Sequence, residues 1–413
     1  MTSFLFKNGP VLDPAAGVLL EGHELLVEGG AVRELSDRPI KVSAAHVVDL
    51  AGRTLMPGLI DCHVHTTFSS LNLGALSDLP QVTQTLRALP ILAGMLRRGF
   101  TTVRDAGGAG HALKQAIEDG LIPGPRLFVS GPALTPTGGH GDFRPRSDFL
   151  RPVAPCSCGH RRGSTRVADG VDEVRRAVRE LLQMGADQIK IMSSGGVASP
   201  TDPIDALGYS EDETRAIVEE AAARHTYVLA HAYTPEAIER AVRSGVRTIE
   251  HGNLIDAQTA RLMAERGCYA VPTLVTYEAL VNEGARLGLP EASVSKIGAV
   301  REAGLRSLEI FAQAGVKIGF GTDLLGESHR LQSDEFRIRA QVQSKADVLR
   351  SATLIGAEIL RMEGRLGQLV PGAIADLLVV DGNPLADLAC LGGQGERIAL
   401  VMKAGAVCAG QLP

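Results

Sequence analysis

The residues Asp61-Cys62-His63-Val64-His65 follow an apolar stretch, Leu55-Met56-Pro57-Gly58-Leu59-Ile60. In an extended strand, residues two apart face the same side, so His63 and His65 can present both imidazoles to one divalent metal ion. The same pair also reads as two ordinary polar residues at a strand end, and the rest of the chain has to decide. Gln188-Ile189-Lys190-Ile191-Met192 is a short apolar run carrying a lysine, and Val228-Leu229-Ala230-His231 ends on a histidine. Val246 to Gly252 carries Glu250-His251, and Val316 to Asp323 ends on a carboxylate. Each is a run of β-formers stopped by a ligand-type side chain and then a loop.

The elements between these runs supply the frame. From Thr234 to Gly245 the sequence reads as a helix: Thr234 can cap, Pro235 suits the first turn, Ala237, Ile238, Ala241 and Val242 have helical period, and Gly245 terminates. Val171 to Leu182 reads the same way ahead of Lys190. Strand and helix alternate, with a functional group at the carboxyl end of each strand. That pattern predicts an α/β chain folded as a (β/α)8 TIM barrel whose site lies at the carboxyl-terminal face.

With these motifs in order the chain resembles the amidohydrolase superfamily. Within it, the chain is most similar to the imidazolonepropionase-related branch that includes metal-dependent prolidases, Xaa-Arg/Lys dipeptidases and ochratoxin-type amidases. The resemblance covers nearly all of the chain and rests on Pro57 to His65, Ile189-Lys190-Ile191, His231-Ala232-Tyr233, Glu250-His251-Gly252, Gly321-Thr322-Asp323 and Ala375 to Val380. It implies that His63 and His65 follow the first barrel strand, Lys190 the fourth, His231 and His251 the fifth and sixth, and Asp323 the eighth. An unmodified ammonium has no lone pair for a metal, whereas a carbamylated lysine supplies two anionic oxygens. The resemblance therefore implies N6-carboxylysine at Lys190 and two divalent metal ions, with zinc as the expected metal, held by His63, His65, Lys190, His231, His251 and Asp323. The plain alternative for Lys190 is a buried ion pair with Asp187 or another carboxylate.

Two cations lower the pKa of a shared water into the neutral range and polarise a carbonyl. Asp323 is then the expected general base and acid, moving the proton from the attacking water to the leaving amine; the alternative is a metal ligand without proton transfer. Tyr233, two positions beyond His231, can donate to an oxyanion. His140 sits in Thr135-Pro136-Thr137-Gly138-Gly139-His140-Gly141, where glycines allow close backbone approach. Similar prolidase-like members use such His and Tyr residues on the substrate's carbonyl or carboxylate, and against that stand a loop histidine and a buried tyrosine. The expected reaction is hydrolysis of the amide of a dipeptide or N-acyl amino acid, prolidase-like or ochratoxin-amidase-like, releasing the C-terminal amino acid. A cyclic-amide hydrolase or deaminase is the alternative within the family, and a metal-binding protein without turnover the alternative outside it.

Other features set bounds. Ser193-Ser194-Gly195-Gly196-Val197 is a turn able to contact substrate and lacks the lysine and spacing of a phosphate loop. Cys156-Ser157-Cys158-Gly159-His160 has no second cluster to complete a tetrahedral site and reads as a reduced loop. Arg144, Arg146, Arg151, Arg161 and Arg162 around it read as a solvated loop, with one of them able to hold a substrate carboxylate. A net charge of -5 with interspersed signs argues against nucleic acid, and 413 residues that are 45% hydrophobic can bury a large core. No apolar run reaches the length of a membrane span, no signal peptide is evident and six cysteines form no paired framework, so a cytoplasmic protein is expected. The partner expected is a small molecule, and the relatives imply a homo-oligomer. Short alternating runs before Met56 and after Arg365 lack enough strands to stand alone, so residues 1–56 and 365–413 are expected to form one composite β-sandwich beside a barrel at 57–364. Glu291 to Leu308 has a helical pattern and either covers the barrel mouth or forms a plain barrel helix.

Overall fold

The computed structural model describes residues 3–77, 79–144, 165–199, 202–289 and 291–411. Helices and strands alternate through the middle of the chain, and among the described residues the strands there pair in parallel, with one isolated antiparallel bridge between Ser194 and Leu207. One sheet runs Arg126–Val129, Phe100–Asp105, Leu59–Val64; a second runs Thr165–Val167, Ala133–Thr135, Ile189–Met192, Val228–Ala232, Thr248–His251, Tyr269–Val271. Residues 317–320 join their edges: Gly319 N–H donates to Ala270 O at 2.8 Å, and Cys62 N–H to Phe320 O at 2.8 Å. On the far side Asp187 N–H donates to Val129 O at 2.7 Å.

The strands are apolar on both faces because helices cover them. Helix Val171–Gln183 buries Val174, Ala177, Val178 and Leu181, and helix Pro235–Arg243 buries Ala237, Ile238, Ala241 and Val242, the stripes their periodicity requires. Thr234 does occupy the N-cap position, but its hydroxyl makes no capping bond; Pro235 in the first turn removes one of the free donors a cap would serve. A full capping box forms instead at Ser210 and Glu213 ahead of helix Glu211–Ala223.

The chain ends share sheets. Leu377–Val380 pairs antiparallel with Thr54–Pro57 and with Ile398–Lys403, while Val11 pairs with Leu55, giving six strands. A four-stranded sheet contains Ala31–Ser36, Glu24–Glu28, Phe4–Lys7 and His46–Asp49. Phe6, Leu25, Val27 and Val48 from the second sheet pack with Leu55, Leu377, Val379 and Met402 from the first. Helix Glu291–Ala314 does two things: Ile297 and Val300 pack against Tyr233 and Tyr277, whereas Leu308 and Phe311 enter the main core. Among the described residues no helix is long and apolar enough to cross a membrane. The Cys156-Ser157-Cys158-Gly159-His160 segment and Arg146, Arg151, Arg161 and Arg162 lie outside the described residues. Arg144 bonds Asp142 at 2.7 Å.

Candidate active site

Parallel register sets the site. Met192 lies opposite His231, and Ala232 opposite His251, so Lys190, His231 and His251 all stand near one carboxyl-terminal edge. His63, His65, Lys190, His231, His251, Asp323, Tyr233 and His140 line a single cavity that opens at one side to solvent. Its outer wall is apolar, with Phe68, Leu71, Leu280, Leu289 and Leu325.

His63 and His65 each aim Nε2 at the same carboxylate oxygen, Asp323 Oδ1, at 3.3 and 3.0 Å. Ligand atoms of His63, His251 and Asp323 all fall within 4.8 Å of one another, a possible metal site. The opposite nitrogens are tied down: His63 Nδ1–H donates to Glu250 Oε2 at 2.7 Å, His65 Nδ1–H to Gly107 O at 2.8 Å, and His251 Nδ1–H to Thr273 Oγ1 at 2.8 Å. His231 reverses the pattern, donating Nε2–H to Gly195 O at 3.0 Å, and among the described residues no bond takes its Nδ1. Such bonds fix the tautomer and ring orientation of a metal-binding imidazole. Burial, and then neighbouring positive groups, hold His231 well below its ordinary pKa; burial, joined by His63 and Lys190, does the same for His251, and neutral imidazole is the form that binds metal.

His251 and Asp323 both adopt positive φ, 73° and 52°. Left-handed backbone is uncommon away from glycine and concentrates at sites where surrounding structure enforces it. For Asp323 its N–H donates to His63 O at 2.8 Å, locking the turn onto the histidine strand. Burial opposes ionisation of Asp323, but the imidazoles of His63 and His65 outweigh it and hold its carboxyl well below the usual range.

Lys190 is buried, and among the described residues no hydrogen bond or ion pair holds its Nζ. Asp187, the partner considered from sequence, bonds Lys114 at 2.7 Å instead. Burial lowers the Lys190 ammonium to about 8, against the attraction of Glu250 and Asp323. That gives Lys190 a larger neutral-amine fraction than an exposed lysine has, and neutral amine is the form that carbamylation requires, so the donor set fits divalent cations.

His140 stacks on His231 with ring centroids 4.4 Å apart and lies 3.4 Å from Asp202 Oδ2. Gly196 packs so closely on it that an added Cβ would meet His140 Cε1 at 2.2 Å. Asp202 accepts from Gly196 N–H at 2.7 Å, and Lys296 donates to the carbonyls of Gly196, Ser199 and Asp202, so the turn after Lys190 is braced from helix Glu291–Ala314. Tyr233 stacks on His251 at 5.2 Å.

Sequence reading left Glu250, Arg104, Tyr277, Asp202 and Lys296 without roles. Arg104 donates to Glu250 Oε1 at 2.8 Å and to Cys62 O at 2.6 Å, and both charged groups are fully buried. Its signal was present: Phe100-Thr101-Thr102-Val103-Arg104-Asp105 is a strand carrying a charge where an apolar residue is expected, the same anomaly that marked Lys190.

The profile of the amidohydrolase family matches residues 54–408. A solved amidohydrolase is 65% identical, covering 100% of both chains at a TM-score of 0.98. A prolidase solved with N-methylphosphonate-L-proline is 56% identical over 99% of this chain and 100% of that one, at a TM-score of 0.96. The ochratoxinase of Aspergillus niger is 33% identical over 81% of this chain and 71% of that protein.

Proposed function

From a chain that belongs to the amidohydrolase family and is an amide-hydrolysing enzyme, we propose a two-metal hydrolase of dipeptides or N-acyl amino acids that releases the C-terminal amino acid. The observation that carries this reading is the convergence of His63 and His65 on Asp323 beside a buried Lys190 that has no ion pair among the described residues. His63, His65, His231, His251, Asp323 and an N6-carboxylated Lys190 would hold the ions, for which zinc suits the imidazole and carboxylate set. When bound, two divalent ions supply Lewis acidity that lowers the pKa of water and polarises an amide carbonyl.

The chain's own groups do the rest. Asp323 takes a proton from the attacking water as the C–O bond forms and delivers it to the leaving nitrogen as the C–N bond breaks. Tyr233 donates to the developing oxyanion, and His140 contacts the substrate's carbonyl or carboxylate. The apolar wall of Phe68, Leu71, Leu280, Leu289 and Leu325 holds the substrate's apolar side chains and excludes water. The backbone bonds at both sheet edges support a closed (β/α)8 barrel at 57–364, and the shared terminal sheets support a composite β-sandwich from 1–56 and 365–413. A homo-oligomeric assembly belongs to the same reading.

A mass-resolved panel of dipeptides and N-acyl amino acids, run with and without chelator, tests the function. Chelator-sensitive release of a free C-terminal amino acid is expected. Ring opening of cyclic amides, or ammonia release, with no dipeptide turnover would overturn it in favour of the other chemistries considered.

A further inference from the structure

Beyond the groups that face a substrate, a second tyrosine lies where the direction of a hydrogen bond matters. Tyr277, on helix Leu274–Glu283, is fully buried, and its hydroxyl stands 2.9 Å from the Tyr233 hydroxyl and 3.1 Å from His251 Nδ1. Thr273 Oγ1, at the start of the same helix, accepts the N–H of that nitrogen at 2.8 Å. The proton count in this cluster decides the direction. His251 Nδ1 faces Thr273 and Tyr277, which leaves Nε2 for the cavity; an imidazole offering Nε2 as a lone pair carries its proton on Nδ1. That proton is spent on Thr273 Oγ1 at 2.8 Å, and a protonated Nδ1 has no lone pair to accept the Tyr277 O–H at 3.1 Å. A phenol has one proton, so the Tyr277 O–H donates to Tyr233 oxygen. Tyr233 then has its own proton left over, and among the described residues no further bond claims it. In the opposite arrangement Tyr233 would spend its proton on Tyr277 and could offer an oxyanion nothing.

We propose that Tyr277 is a positioning residue that turns the Tyr233 hydroxyl proton toward the substrate oxyanion and ties that donor to the tautomer of His251. The inference rests on the amide-hydrolase reading of the site. The bond from Tyr277 to Tyr233 also polarises the last donor, since hydrogen bonds in series strengthen one another in a low-dielectric interior. The packing role of Tyr277 is separable: its ring sits among Val197, Tyr233, Leu289 and Val300, and a phenylalanine keeps those contacts.

The test compares Tyr277→Phe, Tyr233→Phe and the double variant in the metal-loaded enzyme. It reads metal content, kcat and KM on the best dipeptide, and calorimetric affinity for an N-phosphonate dipeptide mimic whose tetrahedral oxygens stand in for the oxyanion. Tyr277→Phe should keep its metals, because Thr273 still holds His251, and keep KM within about twofold. Turnover and phosphonate affinity should both fall about tenfold or more, since an unaligned donor loses much of its worth. The double variant should be no worse than Tyr233→Phe alone, as expected for residues acting as one unit. Unchanged phosphonate affinity in Tyr277→Phe, or losses that add in the double variant, would overturn the inference while leaving the hydrolase reading intact. A wild-type enzyme that neither cleaves dipeptides nor binds the phosphonate would overturn both, since no oxyanion would then await Tyr233.

Discussion

Replacing Glu250 by glutamine isolates the buried support beneath the first histidine. Glu250 Oε1 accepts from Arg104 at 2.8 Å and Thr248 at 2.5 Å, and Oε2 accepts from His63 Nδ1 at 2.7 Å, with Glu250 and Arg104 fully buried and His63 nearly so. Glutamine keeps the shape but removes the charge, leaving the Arg104 guanidinium uncompensated. Breaking a buried pair on one side costs about 3–5 kcal/mol. If the amide oxygen stays with Arg104, its NH2 meets His63 Nδ1–H, donor against donor. Relief comes only by moving the imidazole proton to Nε2, the nitrogen that faces Asp323 at 3.3 Å, which removes the lone pair a metal needs. Disturbing such a support costs about 10- to 100-fold in metal affinity. Glu250→Gln should therefore lose about 3–5 kcal/mol in denaturant unfolding of the metal-free protein and bind metal correspondingly weakly in a competition titration. The pH dependence has a definite sign. Burial opposes ionisation of Glu250, but Arg104 and His63 overcome it and hold its carboxyl well below the ordinary 4.5. A depressed folded-state pKa gives stabilisation that is present above 4.5 and lost as pH falls through the folded value, so the gap between wild type and variant should begin to narrow only on acidification below 4.5. A variant within about 1 kcal/mol of wild type at neutral pH, with unchanged metal affinity, would refute the reasoning.

Asp323→Asn should lower turnover at least about a hundredfold while metal content falls less, measured by steady-state kinetics beside elemental analysis; near-normal turnover at full occupancy would remove Asp323 as the base. Tyr233→Phe should cost roughly ten- to a thousandfold in turnover with both metals retained. A silent Tyr233→Phe would return that residue to packing and leave His140 as the group on the carbonyl. Gly196→Ala places a Cβ 2.2 Å from His140 Cε1 and should displace that imidazole, lowering kcat/KM by about a hundredfold at constant metal content; wild-type kinetics would show that His140 touches nothing that matters.

Much of the site was legible because strand ends announce themselves. Lys190, His231, His251 and Asp323 each interrupt an apolar run, and the parallel order that gathers them follows from the helices between. The supports were not legible for a physical reason. His63 and Glu250 are 187 residues apart, and His140 and Asp202 meet only because Gly196 lets the turn close over the ring. Tyr277 sits in Leu274–Glu283, a helix buried on several sides, where an aromatic residue has no periodicity to distinguish it from packing. Thr234 shows the converse: a residue with the right type at the right place makes no cap. The added parallel pair Ala133–Thr135 and Thr165–Val167 is too short for a sequence pattern to mark.

The central claim is a metal pair bridged through a carboxylated Lys190. Elemental analysis of protein produced with zinc and bicarbonate, read together with a density map at Lys190, tests it most directly. Because burial pushes Lys190 down to about 8, loading of the metal-free protein at a fixed carbon dioxide pressure should quicken as pH rises toward that value and the amine becomes available to carbon dioxide. About two metals per chain and a carboxylated Lys190 are expected; about one metal per chain with Lys190 unmodified would rule out the bridged pair.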